Sequence, residues 1–233
     1  MLGVRQKNET RQAEDKGEYW RCTLIEVQTR LRVGRGIAQN ETKAACRLWQ
    51  RVKKLTGMTA PPPLVSDGWG GHREALVEVF GQVPDYSGQG RRPIHKQAQP
   101  GWLYLQMVKQ REQGRVIGMT PRLIYGSEEE AQAHLDFQTA YVERTNLTSR
   151  HMTSRLVRKT LGFSKEVEML RAASLWEDIV YNLARPLKTL RIEVNDGQRR
   201  WMPRSPAMAA GLTDHIWTIQ ELMWHVPQPT NRL

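Results

Sequence analysis

Two carboxylates, Asp67 and Glu143, have sequence surroundings that suggest metal-assisted chemistry. Asp67 follows the apolar start of "LVSDGWGG" (64–71), so it is predicted to end a strand. Gly68 and Gly70 would let the chain turn there without a side-chain clash. Open α/β sheets place their ligands at the carboxyl ends of strands. The alternative is that Asp67 caps the helix predicted directly downstream.

A pair of carboxylates brought together on one framework can hold Mg²⁺ or Mn²⁺, which take carboxylate and water oxygens. Two such ions can activate a water or a 3′-hydroxyl and stabilise the leaving oxygen of a phosphodiester. The spacing of Asp67 and Glu143 is not specific for such a site, because every protein contains many pairs of acids. An acid beside several cations can also be a salt-bridge partner.

The stretch from 141 to 170 predicts a helix with one apolar and one basic face. At ~100° per residue, five apolar residues share one side: Met152, Leu156, Phe163, Val167 and Leu170. The opposite side is basic, with Glu143 at its edge: Arg144, Arg150, His151, Arg155, Arg158, Lys159 and Lys165. A solvated basic face would explain this pattern. The same pattern also matches a phosphate backbone.

The overall charge favours a polyanionic partner. The 233 residues carry 35 Lys and Arg against 24 Asp and Glu, a formal net charge of +11. Nucleic acid is therefore the first expected partner and an anionic membrane surface the second. The sequence contains no apolar run that predicts a membrane span or a signal peptide. Cys22 and Cys46 are too few for a zinc cluster and are typical of a reducing compartment. We expect a soluble, cytoplasmic protein.

The order of predicted elements indicates one mixed α/β domain with a helical C-terminal part. The predictions are a hairpin over 19–25 and 30–37, helices over 42–55 and 72–80, a loop over 84–101, β-like runs over 101–110 and 114–126, a helix beginning at Ser127, a long helical region from about Thr139 to Leu183, and an irregular Pro-rich tail from Arg191.

Four segments resemble insertion-sequence transposases of the insertion-sequence-one-like kind: "SDGWGGHREALVEVFG", "VKQREQGRVIGMTPRLIYG", "YVERTNLTSRHMTSRLVRKTLGFSK" and "PRSPAMAAGLTDHIWT". These enzymes belong to the DDE superfamily and have a ribonuclease-H-like mixed sheet with flanking helices. The resemblance implies that Asp67 is the second catalytic acid and Glu143 the third, with both binding Mg²⁺ or Mn²⁺. It also implies contacts with insertion-sequence ends and target DNA, for which the candidates are Arg144, Asn146, Arg150, Arg155, Arg158 and Lys159.

The chain departs from the family at its start. The first catalytic Asp of the family precedes the element that "QKN" (6–8) resembles, and residues 1–4 contain no Asp. The family's N-terminal DNA-binding module is not found either. Glu26, at the end of "CTLIE", could substitute for the missing acid, but it lies on the wrong predicted strand. We therefore expect an incomplete opening strand, of which residues 1–6 could fill part.

These features predict a truncated, inactive transposase with a catalytic domain over 1–190, a loop insertion at 84–101, and an irregular tail over 191–233. Two alternatives stay open: a non-catalytic DNA-binding remnant, or a metal-dependent nuclease of the same fold. Whether the chain forms a homo-oligomer is also open at this stage.

Overall fold

The computed structural model describes residues 2–5, 18–86, 88, 90–157, 161–162, 164, 166–194, 197 and 199–225. Contacts divide the chain into two compact units. The first comprises residues 1–24 and 33–167, and the second comprises 25–32 and 168–233. This division falls at 167/168, whereas the sequence placed a boundary at 190/191.

The first sheet is a three-stranded sheet with the order β1-β2-β3. Its strands are β1 (Leu2–Arg5), β2 (Glu18–Ile25) and β3 (Arg32–Ala38). β1 runs antiparallel to β2, with Leu2 opposite Arg21. The predicted hairpin is confirmed, and the short opening strand is present.

Helix α1 (Glu41–Thr56) packs its apolar face into the core of the first unit. The Asn40 side chain caps it by accepting from the Lys43 amide at 2.7 Å, and Gly57 ends it in the left-handed conformation. A capping Asn at the start of a helix and a left-handed Gly at its end are common features of helix termini. The buried residues of α1 recur at helical intervals: Ala44, Ala45, Leu48, Trp49 and Val52.

The second sheet is mixed and has the order β4-β5-β6. Its strands are β4 (Leu64–Asp67), β5 (Tyr104–Glu112) and β6 (Arg115–Tyr125). β4 pairs with β5 in parallel, and β5 pairs with β6 in antiparallel. The parallel pair needs a crossover, which helix α2 (Gly71–Phe80) and the following loop supply. The predicted strand end at Asp67 and the helix after it are both confirmed.

The core of the first unit lies between α1, α2 and the sheet residues they cover. Trp49 of α1 meets Phe80 of α2 edge to face, with ring centroids 5.9 Å apart. Trp102, just before β5, and Tyr104, its first residue, are almost completely buried in the same cluster. These aromatic contacts fix α1 and α2 against each other.

The long helical region predicted from about Thr139 to Leu183 is not one continuous helix. After α3 (Glu128–His134), helix α4 covers Ala140–Met152 and ends at Thr153, which is extended with φ −136°. A 3₁₀ turn follows at Ser154–Leu156, and the next helix, α5, begins at Val167. A β-branched Thr followed by Ser favours this break, because both side chains compete with helical hydrogen bonding.

The second unit is built on α5 (Val167–Ile179), which continues into a π-helical turn over Val180–Ala184. The region predicted as an irregular tail contains short elements instead. These are β7 (Ile192–Glu193), β8 (Trp201–Met202), α6 (Pro206–Ala209) and α7 (Ile219–Trp224).

A buried charged cluster joins the two chain segments of the second unit. The guanidinium of Arg32 donates to Glu177 and, at 3.2 Å, to Asp178. It also lies over the Tyr181 ring, 3.8 Å from the centroid. The Asn182 side chain exchanges two 3.0 Å hydrogen bonds with the Arg32 backbone. Removing one partner of such a cluster leaves an uncompensated buried charge.

Among the described residues, no helix is both long and apolar enough to cross a membrane.

Gly36 is required where β3 crosses α1. A Cβ at residue 36 would lie 1.8 Å from the Ala44 carbonyl oxygen, which is helix backbone and cannot move aside. We expect Gly36→Ala to lower the free energy of unfolding by about 3 kcal/mol or more. Gly34→Ala is the matched control, because a Cβ there meets only side chains, at 3.1 and 3.2 Å. Urea denaturation followed by Trp fluorescence measures both, and equal losses would contradict this assignment.

Candidate functional site

Asp67 is the last residue of β4, and its carboxylate is about half exposed. Its Oδ1 accepts from the Trp69 amide at 3.3 Å, which closes a local turn. Helix α2 begins after Gly70 and has no side-chain cap. The capping alternative is therefore not what the structure shows, and Asp67 is a strand-end carboxylate.

The turn after Asp67 has its closest glycine contact at Gly71, which was not in the predicted pair of Gly68 and Gly70. A Cβ at Gly71 would lie 2.1 Å from the Trp69 ring, and one at Gly68 would lie 3.2 Å from Val108. Gly70 has φ −67° and open space around it, so it has no need to be glycine. The tight contact is thus between Trp69 and the start of α2.

Glu143 lies in the first turn of α4, where the helix dipole favours an acid. Its Oε1 accepts from the Lys109 ammonium at 2.6 Å and from the Thr139 hydroxyl at 3.5 Å. The side chains of Glu143 and Lys109 are 51% and 36% exposed, so this ion pair is accessible to solvent.

The strand register brings Asp67 and Glu143 to one face of the mixed sheet. Asp67 lies directly beside Met107 in the parallel pair. Side chains alternate along a strand, so Lys109 shares the face of Met107 and of Asp67. Because Lys109 contacts Glu143, the Glu143 carboxylate reaches the same face of the sheet, two residues beyond the β5 partner of Asp67.

A buried polar network on the opposite face holds the end of β4. The Tyr104 hydroxyl lies 2.8 Å from both Ser66 Oγ and Gln106 Nε2. The Gln106 amide also donates to the Trp69 carbonyl at 3.1 Å and accepts from Arg122. Burial raises the pKa of Tyr104, so it remains a neutral hydroxyl. The network ties the turn after Asp67 to β5.

His72, on the first turn of α2, has its Nε2 3.8 Å from Asp67 Oδ1. Burial lowers the pKa of His72 to about 4, although the Asp67 charge acts in the opposite direction. The Trp69 ring covers the imidazole edge to face at 4.9 Å. At neutral pH, His72 therefore does not neutralise Asp67.

Sequence reasoning missed two residues of this site, Lys109 and His72. His72 follows the quoted "LVSDGWGG" directly, and its position at a helix start could have indicated it. Lys109 needed the register of β5 against β4, which the sequence does not supply.

The carboxylates fit a divalent ion only in part. Asp67 and Glu143 offer oxygens at one edge of the sheet, which suits Mg²⁺ or Mn²⁺. Across the part of the chain that the structure describes, however, no group of three or more His, Cys, Asp or Glu could hold a metal ion. Water and substrate oxygens would have to complete the coordination.

Glu26, the substitute acid considered from sequence, is engaged in the turn between β2 and β3. Its carboxylate accepts from the Gln28 amide at 2.8 Å, the Thr29 amide at 2.6 Å and the Thr29 hydroxyl. Burial alone would raise the pKa of Glu26, but these hydrogen bonds outweigh it and lower the pKa. Both oxygens therefore have a structural role.

The predicted DNA-binding residues do not form one helical face. Arg144, Asn146 and Arg150 lie on α4, where Arg144 is exposed and the other two are half-buried. Arg155 lies beyond the end of α4 and donates to Ser164 at 3.3 Å. Arg158 and Lys159 lie outside the described residues.

A scan against protein-family models, a search of curated proteins and a search of solved structures each gave no match to this chain. The resemblance to transposases therefore rests on the quoted sequence segments.

The low pKa of His72 predicts a pH-dependent stability. Between the unfolded pKa of 6.5 and the folded value of about 4, the unfolded chain binds more protons than the folded one. Stability from this residue is complete above pH 6.5 and is lost as pH falls towards 4, by about 3 kcal/mol at most.

Urea denaturation across this pH range measures the effect. We expect His72→Gln to flatten the dependence, whereas the exposed His151→Gln should leave it unchanged. Equal slopes for wild type and His72→Gln would show that burial does not lower the pKa of His72.

Proposed function

We propose that this chain is related to the catalytic domains of DDE-type DNA transposases, which use Mg²⁺ or Mn²⁺ for phosphodiester cleavage and strand transfer in insertion-sequence transposition, and that this copy keeps the metal and DNA sites without cleaving DNA. The observation that carries the proposal is the location of Asp67 and Glu143 on one face and one edge of the mixed sheet. These are the two acids that the resemblance assigns to catalysis.

The proposal includes a ribonuclease-H-like sheet. In that fold the opening strand is central, between an antiparallel partner and a parallel one. Two described pairings are compatible with such a sheet: β1 pairs with β2 in antiparallel, and β4 pairs with β5 in parallel. The pairing of β1 with β4 that would join these halves is part of the proposal.

The chain's own residues would act as follows. Asp67 and Glu143 would hold the divalent ion by their carboxylate oxygens, with the Ser66–Tyr104 network fixing the strand end beneath them. When bound, the ion would activate the attacking oxygen and stabilise the leaving one. Arg144, exposed and next to Glu143 on α4, would contact a backbone phosphate.

DNA is the proposed partner because the chain is strongly cationic and both Lys109 and Arg144 are exposed. Phosphate contacts of this kind give affinity with little sequence selectivity. Insertion-sequence ends and target DNA are the substrates that the resemblance implies.

We expect salt-dependent DNA binding that involves Arg144. Removing one phosphate contact reduces the slope of log affinity against log salt by about 0.9. Arg144→Ala should therefore flatten the slope by that amount, measured by fluorescence anisotropy on a short random-sequence duplex. Arg171→Ala is the matched control, because Glu168 already neutralises that exposed guanidinium. An unchanged slope for Arg144→Ala would show that its face is merely solvated.

A second candidate function is DNA binding without catalysis. The Lys109 ammonium already occupies an oxygen of Glu143, and the described residues bring only two carboxylates to this edge. Both observations favour a protein that binds DNA and leaves it intact. DNA affinity independent of divalent ions would support this candidate over the first.

We expect no strand cleavage or transfer by the purified chain, even with Mn²⁺. Two carboxylates leave each of two ions short of ligands and the ions less shielded from mutual repulsion. The assay compares wild type with Asp67→Asn, Glu143→Gln and Glu26→Gln on DNA substrates. Metal-dependent cleavage by wild type that Glu26→Gln abolishes would contradict both this expectation and the structural role of Glu26.

A further inference from the structure

Lys109 is the cation of the candidate site, and neither the sequence patterns nor the proposed function assigns it a role. Its ammonium lies 2.6 Å from Glu143 Oε1, the shortest approach of a charged group to either acid in the described residues. An ammonium at that distance competes electrostatically with a metal ion for the same oxygen.

The position of Lys109 is fixed by its strand. β5 has β4 on one side and β6 on the other, and Met107, two residues earlier, is buried. Lys109 lies opposite Met119 of β6, just beyond the residue that pairs with Asp67. Its backbone is thus held at the edge of the site, while four flexible bonds allow the ammonium to move.

The ion pair is weak enough to be exchanged. With both side chains more than a third exposed, the pair contributes little net stability. A divalent cation carries twice the charge of the ammonium and is attracted correspondingly more strongly. Glu143 can therefore exchange Lys109 for a metal ion at small cost.

We infer that Lys109 is a positioning residue: it holds the Glu143 carboxylate in the metal-free chain, and it moves to a backbone phosphate of DNA when a divalent ion binds Glu143. The inference rests on the proposed function for the identity of the ion and of the DNA.

A DNA phosphate is the ligand that suits the released ammonium. Lys109 would remain exposed at the edge, and Arg144 is exposed on the helix that carries Glu143, so both cations are accessible to a bound strand. A Lys ammonium binds phosphate as a compact point charge, without demanding a fixed geometry. The exchange leaves no charge of the site unpaired.

The first measurement is Mn²⁺ binding by the full chain without DNA, followed by electron paramagnetic resonance. Lys109→Met removes the competing charge, so we expect Mn²⁺ to bind about three- to fivefold more tightly. Lys109→Arg restores a cation and should return the affinity towards wild type. The matched control is Lys96→Met, which breaks an equally exposed pair with Glu78 (3.1 Å) elsewhere and should change nothing.

The second measurement is the affinity for a short DNA duplex with and without Ca²⁺. In wild type, Ca²⁺ should release Lys109 and strengthen binding by about threefold or more. Lys109→Met should lose this gain, while Lys96→Met keeps it. A gain retained by Lys109→Met would overturn the phosphate role.

The outcomes separate this inference from the proposed function. If Glu143→Gln weakens Mn²⁺ binding but Lys109→Met leaves it at the wild-type value, the metal site stands and the exchange is overturned. If Asp67→Asn and Glu143→Gln both leave Mn²⁺ binding unchanged, the metal site of the proposed function fails, and the exchange fails with it.

Discussion

The parallel pairing of β4 with β5 is the constraint on which the candidate site depends. A parallel pair cannot be closed by a tight turn, so the chain must leave β4, cross over through α2 and return. That path requires an abrupt change of direction just after Asp67. The close contact of Trp69 with Gly71 provides it, because any larger residue at 71 would collide with the ring. The exposed carboxylate at the strand end is a consequence of this geometry.

The same pairing decides which side chains meet. One face of β4 and β5 carries Ser66, Tyr104 and Gln106, whose hydrogen bonds are buried and satisfied. The other face carries Asp67 and Lys109, which reach solvent and α4. A shift of the register by one residue would exchange these faces and bury the charges. The hydrogen bonds of Ser66, Tyr104 and Gln106 therefore stabilise this register of β4 against β5 as well as the end of β4.

Much of the fold follows from local sequence signals. Ser127 predicts the start of α3 correctly, since capping depends only on neighbouring backbone groups. The continuous helix predicted from Thr139 is not observed, although the apolar residues keep a helical spacing across Thr153. Spacing alone cannot show where a helix is interrupted, because apolar residues can keep that spacing by chance on both sides of a break. The sequence also did not predict the need for glycine at position 71, since that need arises from the position of the Trp69 ring. Lys109 could not be found without the strand register.

The charge balance at the candidate edge differs from that of the chain as a whole. In the described part of the chain, Lys109 is the charged group that pairs with one of the two acids, Asp67 and Glu143, because burial holds the pKa of His72 at about 4 and the imidazole stays neutral at pH 7. The edge is therefore locally negative within a chain of net charge +11.

A negative edge repels DNA phosphates unless cations accompany them, whereas the surrounding positive charge attracts the same strand. A divalent ion at the edge removes this conflict, and so does Lys109 when it contacts Glu143. Burial of His72 thus matters for electrostatics as well as stability, since a protonated imidazole beside Asp67 would weaken the attraction of the edge for a metal ion.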